Sequence, residues 1–368
     1  MNKKNLIVAV TNDLSYDQRM RRICTTLAQD TFQVTLVGRM RPLSIPLQNE
    51  SYGQHRMKLP FSHGALFYCF YNLYLAWYLL THRFDVCLAV DYDTLPSCFL
   101  VSKMKGKKLM IDCHEWYEEA PELLHRPVVR HVWKYIGYFL LPKVAVGFSV
   151  NSYLAEHFRR QSKRPFIAVR NMPLPKAIPS LQKQKKLLIY QGVLNQDRGL
   201  RELIQAMTLL PEYSLWLCGD GDLREELVAL VKQLQVSGQV TFWGNLSADH
   251  LHLKMAQATL GFNLLTGSSK SYYFSLANKF FDYVQAGTPV ITVGYPEYQR
   301  HMEEFKVGVL LSEVSPQNIA ETVLSFEKNP DSYQQVINNC LTARLQWNWE
   351  QEKQTLLKAI DAEIGSEG

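Results

Sequence analysis

The stretch "YFSLANKFFDYVQAGTPVITVG" (residues 273–294) combines a helix, a turn and a strand in one continuous unit. Its apolar residues Leu276, Phe280, Phe281 and Val284 recur at helical spacing. A Gly-x-Pro turn then leads into the apolar run "VITV". A helix followed by a buried strand is the repeating unit of parallel α/β sheets, so the stretch predicts an α/β domain.

The same alternation of apolar runs and helical segments extends across the chain on both sides of this stretch. The runs in the first half are "NLIVAV", "FQVTLVG", "FDVCLAV", "KKLMID" and "VAVGFSV". Those in the second half are "KLLIYQG", "YSLWLCG", "QVTFWG" and "ATLGFNLL". Strands separated by helices need crossover connections, which favour a mostly parallel sheet with helices on both faces. We therefore predict two doubly wound α/β domains.

A segment rich in proline and basic residues, "RPFIAVRNMPLPKAIPSLQKQKK", divides the two halves. We predict a first domain at 1–165, a linker at 166–186 and a second domain at 187–345. The remaining residues, 346–368, form a helix that returns to the first domain. Two such domains joined by a linker leave a cleft at the carboxyl ends of their strands, where open parallel sheets bind ligands.

The composition excludes disordered and fibrous classes, because 47% of the 368 residues are hydrophobic and 20% are charged. The net charge of +6 suits an anionic small molecule, a membrane surface or a nucleic acid. The basic cluster "RMRR" (19–22) lacks interleaved aromatic residues and belongs to no nucleic-acid-binding module. We predict no nucleic-acid partner, and assign this cluster to a solvated helix face or to a contact with phosphate or acceptor.

Seven cysteines without CxxC spacing indicate buried, reduced thiols in a cytoplasmic protein, and no metal site. The apolar run after the basic start is too short for a secretory signal. The segment "GALFYCFYNLYLAWYLL" (64–80) is uncharged and rich in aromatic residues. It predicts a buried or half-buried helix or, alternatively, a helix that lies against a membrane or a lipid acceptor.

An anion site is predicted where the second domain begins, because Gly192 and a polar loop precede a helix that starts near Leu200. The backbone N–H groups and the dipole at a helix start attract anions, and Arg198 adds a planar donor for phosphate. The alternative is that Arg198 is a solvated loop residue. The nearby "CGDGDL" is too short for a dinucleotide-binding fingerprint, so no such cofactor is predicted.

A second candidate site lies in the opening stretch, where Ser275 is a predicted N-cap. Asn278 and Asp282 are four residues apart on one helix face, with Lys279 beside them. This arrangement suits a diphosphate at the helix start and a ribose that donates to Asp282. The alternative is a surface ion pair between Lys279 and Asp282.

In the first domain, "MIDCHEWYEEAPEL" (110–123) places His114 among four carboxylates at the end of a strand. A histidine there can orient or protonate a substrate hydroxyl. It can equally form a structural pair with a carboxylate. A metal site is not predicted, because no second histidine or cysteine lies at the spacing of metal ligands in the sequence.

Several of these motifs together resemble the nucleotide-sugar glycosyltransferases of family 4 (group 1), which have the two-domain GT-B fold. The resemblance is strongest in "YQGVLNQDRGLRELIQAM", "LWLCGDGDLREEL", "VTFWGNL" and "NKFFDYVQAGTPVI", and looser in "DCHEWYEE". It implies transfer of a sugar from a nucleotide diphosphate to an acceptor, generally with retention of configuration and without a catalytic metal or other cofactor.

The resemblance also implies roles for individual residues. Gly192 and Arg198 match the diphosphate clamp, and His114 matches a histidine beside the transferred sugar. Asp282 matches the second acid of a Glu-x7-Glu signature. Gly244 and Asn245 lie where backbone groups contact the base, and Asn278 and Lys279 lie at the donor site.

Two positions depart from the family pattern. Val193 stands where an arginine is usual, and Phe274 stands in place of the first acid of the signature. A non-catalytic homologue that binds nucleotide sugars or glycans is therefore the alternative to a transferase. A nucleotide-sugar epimerase or a glycogen-type enzyme on the same fold is a further alternative. The implied acceptor is a glycan or a lipid-linked saccharide, with the protein in the cytoplasm or at the inner face of the membrane.

Overall fold

The computed structural model describes residues 3–364 except for 16, 43, 121–122, 124, 179–182 and 268. Parts of the domain assignments above, namely the chain ends and 179–182, lie outside the described residues. The chain divides into two compact units, the first formed from residues within 1–171 and 352–368 and the second from 172–351. The linker was predicted to begin at residue 166, but residues 166–168 form an edge strand of the first unit. An edge strand needs hydrogen-bond partners on one side alone, so the prolines that follow do not prevent it.

The first unit is built on a seven-stranded, wholly parallel sheet with the order β3-β2-β1-β4-β5-β6-β7. The strands are β1 (Lys4–Ala9), β2 (Phe32–Arg39), β3 (Gly53–Met57), β4 (Val86–Val90), β5 (Lys108–Cys113), β6 (Val146–Ser149) and β7 (Phe166–Ala168). The helices are α1 (Gln18–Gln29), α2 (Gly64–Thr81), α3 (Asp91–Lys105), α4 (Pro127–Leu140) and α5 (Ser152–Ser162). Two short 3-10 turns cover Tyr117–Glu119 and Leu141–Lys143.

The second unit is built on a six-stranded parallel sheet with the order β10-β9-β8-β11-β12-β13. Its strands are β8 (Leu187–Gln191), β9 (Ser214–Cys218), β10 (Val240–Gly244), β11 (Leu260–Asn263), β12 (Val290–Val293) and β13 (Gly308–Leu311). Its helices are α6 (Leu200–Ala206), α7 (Arg224–Gln233), α8 (Ala248–Gln257), α9 (Lys270–Tyr273), α10 (Asn278–Gln285), α11 (Pro296–Glu304), α12 (Pro316–Lys328) and α13 (Pro330–Gln346). A 3-10 turn, Met207–Leu209, follows α6.

Both sheets owe their parallel form to strands that are apolar on both faces. Strands β4 and β8 are buried at every residue, as expected when helices cover both sides of a sheet. The strand order in each unit reverses direction once, between β1 and β4 and between β8 and β11. These reversal points are where doubly wound sheets bind ligands. The predicted fold class of two doubly wound parallel sheets is confirmed.

The last helix, α14 (Trp349–Ile364), carries the chain back to the first unit, as predicted from the sequence. Leu356, Ile360 and Ile364 are fully buried along one face of this helix. The Arg170 guanidinium donates to the carboxylate of Glu352 at 2.6 and 2.9 Å. The helix is thus fixed by an apolar stripe and by an ion pair at its start.

Among the helices of the described residues, none has the length and hydropathy needed to cross a bilayer.

Candidate functional site

Beside the reversal point of the second sheet, the ends of β8, β9 and β10 are in direct contact. The Gly192 N–H, just after β8, donates to Cys218 O of β9 at 2.9 Å, and the Gly219 N–H donates to Gly244 O of β10 at 2.8 Å. A Cβ atom at position 219 would lie 2.0 Å from Gly192 O. No side chain fits there, so Gly192 and Gly219 present bare backbone at the carboxyl edge of the sheet. We call the backbone of these two residues the glycine shelf.

Lys279, in the first turn of α10, reaches this shelf. Its Nζ lies 3.9 Å from the ring centroid of Tyr190, and a Cβ atom at position 192 would approach Nζ to 2.9 Å. Burial, with a further contribution from Arg198, holds the pKa of Lys279 well below its ordinary value. The alternative of an exposed surface position for Lys279 is therefore not what the structure shows: its side chain is half-buried, with the ammonium beside Gly192.

Arg198 lies on the loop between β8 and α6, with its guanidinium carbon 5.1 Å from the ring centroid of Tyr272. The two cationic groups repel each other, since Arg198 contributes to lowering the pKa of Lys279. An anion that binds between two cationic groups relieves their mutual repulsion and accepts charge-assisted hydrogen bonds from both. The alternative of a purely solvated loop position for Arg198 is not what the structure shows, since its side chain is half-buried.

The start of α10 differs from the sequence prediction. Ser275 is not the N-cap, because the capping position is Ala277, two residues later, and the helix begins at Asn278. The Ser275 hydroxyl instead donates to Tyr272 O at 2.8 Å and closes the turn after α9. No side chain caps the helix at Ala277, so the positive end of its dipole is directed to the loop beside Lys279.

Asp282, one turn into α10, accepts a hydrogen bond from Gln191 Nε2 at 2.9 Å. Gln191 immediately precedes Gly192, so this bond ties the helix to the glycine shelf. Asn278 is exposed one turn before Asp282, and Asn245 is exposed directly after β10. The described structure thus gathers Gly192, Arg198, Lys279 and Asp282, and Gly244 joins them through Gly219.

Sequence reasoning missed three residues that shape this site. Tyr190 lies under the Lys279 ammonium, Gln191 positions Asp282, and Tyr272 stacks on Arg198. The first two could have been found from their position next to Gly192, at the end of the strand. Tyr272 could not, because its contact with Arg198 joins residues more than seventy positions apart.

The first unit has a different polar cluster at its own reversal point, centred on His114. The His114 N–H donates to the Asp91 carboxylate at 2.8 Å, and His114 Nε2 lies 3.2 Å from Asp112 Oδ2. Burial disfavours the imidazolium, but Asp91 and Asp112 outweigh burial and raise the pKa of His114 to about 9. His114 is therefore a cation held between carboxylates, as in the structural pairing considered from the sequence. Its catalytic role stays a prediction.

Arg19 contradicts the prediction that its basic cluster forms a solvated helix face. Its side chain is 4% exposed. Its guanidinium donates to both carboxylate oxygens of Asp112, at 2.9 and 2.7 Å, and to Val169 O at 2.6 Å. The basic cluster was visible in the sequence. Its pairing with Asp112, which lies ninety-three residues from Arg19, was not.

Asp93 completes this cluster at the start of α3. One carboxylate oxygen accepts from the Thr11 hydroxyl at 2.6 Å, and the other is buried without a partner. Burial and the neighbouring Asp91 raise the pKa of Asp93 to about 7. Within the described residues, no cluster of three or more His, Cys, Asp or Glu side chains is arranged to hold a metal ion.

Comparisons with known proteins agree with this architecture. Residues 175–341 match the family model described as glycosyl transferases group 1. The lipopolysaccharide core biosynthesis glycosyltransferase LpsE of Rhizobium meliloti is 40% identical over 58 residues, which are 16% of this chain and 17% of that protein. The chain is thus matched to a small part of that relative's length.

Two solved structures share the fold. Sucrose-phosphate synthase of Thermosynechococcus elongatus superimposes with a TM-score of 0.80 at 16% identity, covering 99% of this chain and 100% of that one. Anabaena HepE, solved in complex with UDP, superimposes with a TM-score of 0.75 at 14% identity, covering 98% and 100%. These similarities confirm the predicted GT-B fold class. The match over residues 175–341 confirms the resemblance of this chain to the group 1 glycosyl transferases.

Proposed function

We propose that this protein transfers a sugar from a nucleoside diphosphate sugar to a hydroxyl group of a glycan or lipid-linked saccharide. The observation that carries the proposal is the pairing of Arg198 and Lys279 beside Gly192, at the reversal point of the second sheet. Two cations, an exposed backbone shelf and a helix start together match the charge and shape of a diphosphate.

In this proposal each group of the second unit has a distinct task. Arg198 and Lys279 hold the diphosphate oxygens, and Asp282 accepts hydrogen bonds from the ribose hydroxyls. The backbone at Gly244 and Asn245 faces the base, and Asn278 lies at the phosphate end of α10. HepE, with the same fold, was crystallised with UDP, which supports a nucleoside diphosphate as the ligand.

The proposed reaction breaks the bond between the anomeric carbon and the diphosphate oxygen. Negative charge grows on that oxygen, and Arg198 and Lys279 stabilise it more strongly in the transition state than in the bound donor. The acceptor oxygen bonds to the anomeric carbon on the face that the diphosphate leaves, and its proton passes to the departing phosphate. This front-face route retains the anomeric configuration and uses no catalytic metal.

The acceptor is proposed from the relatives and from the chain itself. LpsE is named for lipopolysaccharide core biosynthesis, which supports a saccharide acceptor on a lipid. All seven cysteines are free thiols, which supports the proposed cytoplasmic location. Cys69 differs from the sequence prediction in being exposed, because it lies on the outward side of α2.

A non-catalytic homologue is the second candidate, and Phe274 favours it. This residue replaces an acid of the family signature, and its ring packs edge-on against Tyr273 with centroids 4.8 Å apart. It therefore supplies an apolar surface where the family pattern has a carboxylate.

One experiment separates the two candidates: incubation with UDP-, GDP- and ADP-sugars, followed by measurement of the nucleoside diphosphate released. We expect slow release with one donor, and release about 100-fold slower in Arg198→Ala. Arg201→Ala is the matched control, because that arginine lies on α6 and pairs with Glu226 instead. Donor binding without release supports the non-catalytic homologue, and equal release by wild type and Arg198→Ala contradicts the proposed role of Arg198.

A further inference from the structure

The outward side of α2 is a continuous apolar stripe. Leu66, Leu73, Trp77 and Leu80 recur at helical spacing along it and are 55%, 60%, 69% and 42% exposed. The opposite side of the helix is buried in the core of the first unit. The helix carries no charged residue. A helix that is apolar all round is normally buried on every side. The outward half of this helix is instead exposed, although its residues are typical of a buried helix.

Helix α4 repeats the pattern with aromatic residues. Val128, Val132, Tyr135 and Phe139 form a stripe along the helix and are 76%, 51%, 60% and 59% exposed. Tyr138 beside them is 63% exposed. Exposed tyrosine and tryptophan side chains, with an apolar ring and a polar edge, are the side chains that favour the boundary between water and lipid.

Helix α3 joins the two stripes into one surface. It packs against both α2 and α4, and its exposed residues Leu100 and Met104 continue the apolar surface. The right-handed crossovers into β4, β5 and β6 put all three helices on the same side of the sheet. Thirteen of the twenty-five large apolar side chains that are exposed in the described residues lie on these three helices. We call the surface that α2, α3 and α4 form together the outer apolar face.

The charges on this outer apolar face are cationic. Lys103 and Lys134 are exposed among the apolar residues, whereas Arg130 is half-buried and paired with Glu119. The acidic residues of the three helices, Asp91 and Asp93, lie in the first turn of α3, and neither is exposed. At the rim near Phe99, a cavity of about 500 Å³ is lined by further cations. They are Lys103, Lys107, Lys108, Lys143 and Arg164.

We propose that the outer apolar face binds the surface of an anionic lipid bilayer, with the three helices lying along the headgroup region. Apolar and aromatic side chains enter the boundary with the acyl chains, and the surrounding cations contact lipid phosphates. A second copy of the chain fits less well, because a symmetric pairing brings the same cations together. This inference concerns the first unit alone and does not depend on the proposed sugar transfer.

Vesicle sedimentation tests the proposal without any measurement of activity. The full chain is mixed with vesicles of phosphatidylcholine, or of phosphatidylcholine with phosphatidylglycerol. We expect binding to the anionic vesicles, weakened by salt. The double variant Leu73→Ser/Trp77→Ser is expected to bind about tenfold more weakly. Lys103→Gln and Lys134→Gln are expected to bind about fivefold more weakly each.

The control variants carry the same changes on the second unit. Leu341→Ser/Leu345→Ser alters two exposed leucines at the same helical spacing on α13, and Lys232→Gln alters an exposed lysine on α7. Both are expected to bind vesicles like wild type. The proposal is overturned if wild type ignores anionic vesicles, or if Leu73→Ser/Trp77→Ser binds equally well. It is also overturned if sedimentation equilibrium shows a dimer that this double variant converts to monomer.

Discussion

The two units place charged side chains at the same point of the same topology and use them differently. In the first unit, Arg19 and His114 lie against Asp112 and Asp91, so each cation has a carboxylate partner. In the second unit, Arg198 and Lys279 repel each other, and a single carboxylate, that of Asp282, acts on Lys279 while it also accepts from the Gln191 amide. The first cluster neutralises itself, whereas the second has an excess of positive charge.

This difference indicates which cluster needs a ligand. Buried ion pairs with complete hydrogen bonding are stable on their own, and removing one partner is what destabilises them. Two neighbouring cations repel each other until an anion enters. We therefore expect substitutions in the first cluster to change stability, and substitutions in the second to change affinity for nucleoside diphosphates.

Arg19→Leu is expected to have the largest effect, because it leaves the Asp112 carboxylate buried without its guanidinium partner. We expect a loss of about 3–5 kcal/mol in the unfolding free energy of the first unit, measured by hydrogen exchange of its strand amides. Arg21→Leu is the control, because that side chain is 53% exposed and pairs with Glu50 at the surface. A loss no larger than that of Arg21→Leu shows that the Arg19 pair is not structural.

The pH dependence of stability tests the charge of His114. Its pKa is raised from 6.5 to about 9, so the stabilisation is complete below about pH 6.5 and is lost as the pH rises through 9. We expect wild type to lose up to about 3 kcal/mol relative to His114→Asn across that range. Urea unfolding at a series of pH values measures this difference. Parallel profiles for the two proteins would mean that His114 is not held as a cation.

Lys279→Met is expected to separate stability from binding in the second unit. Burial lowers the pKa of this lysine, so replacing it with an apolar side chain of similar length leaves the fold as stable or makes it more stable. Affinity for a nucleoside diphosphate is expected to fall about tenfold or more. Thermal unfolding and calorimetry on the same samples provide the two readings. Unchanged affinity would exclude Lys279 from the ligand site.

Gly192→Ala is expected to have a smaller effect, of about 1–2 kcal/mol on stability. The φ angle of Gly192 is 127°, and an added Cβ atom meets Lys279 Nζ. Gly238→Ala is the matched control, because nothing lies within 4 Å of a Cβ atom there. If both variants unfold at the same temperature, the close approach of Gly192 and Lys279 is not a constraint.

Much of the fold could be predicted from the sequence, because apolar strands alternate with helices in a pattern that only parallel sheets satisfy. The residues at which individual strands and helices begin and end were harder to predict. Phe166–Ala168 forms a strand within the predicted linker, since pairing at a sheet edge outweighs the local composition. Ser275 resembles an N-cap, but its hydroxyl bonds to Tyr272 O. Such choices depend on tertiary contacts that a local pattern does not contain.

The candidate site was predictable where its residues adjoin a strand end. Gly192 follows β8, Gly244 is the last residue of β10, and Lys279 and Asp282 share one helix. The partners that hold these residues come from distant segments, as Gln191 does for Asp282. The neutralised cluster around His114 was predicted in part: Asp112 was among the expected carboxylates, whereas Asp91 and the guanidinium of Arg19 come from other segments and were not.

The central claim is that the excess positive charge beside Gly192 binds a diphosphate. Titration calorimetry with UDP, GDP and ADP, on wild type, Arg198→Ala and Arg19→Leu, tests it most directly. We expect one nucleotide to bind wild type, Arg198→Ala to bind it at least tenfold more weakly, and Arg19→Leu, assayed where it remains folded, to bind it as wild type does. Equal binding by wild type and Arg198→Ala, or no binding of any of the three nucleotides, would contradict the claim.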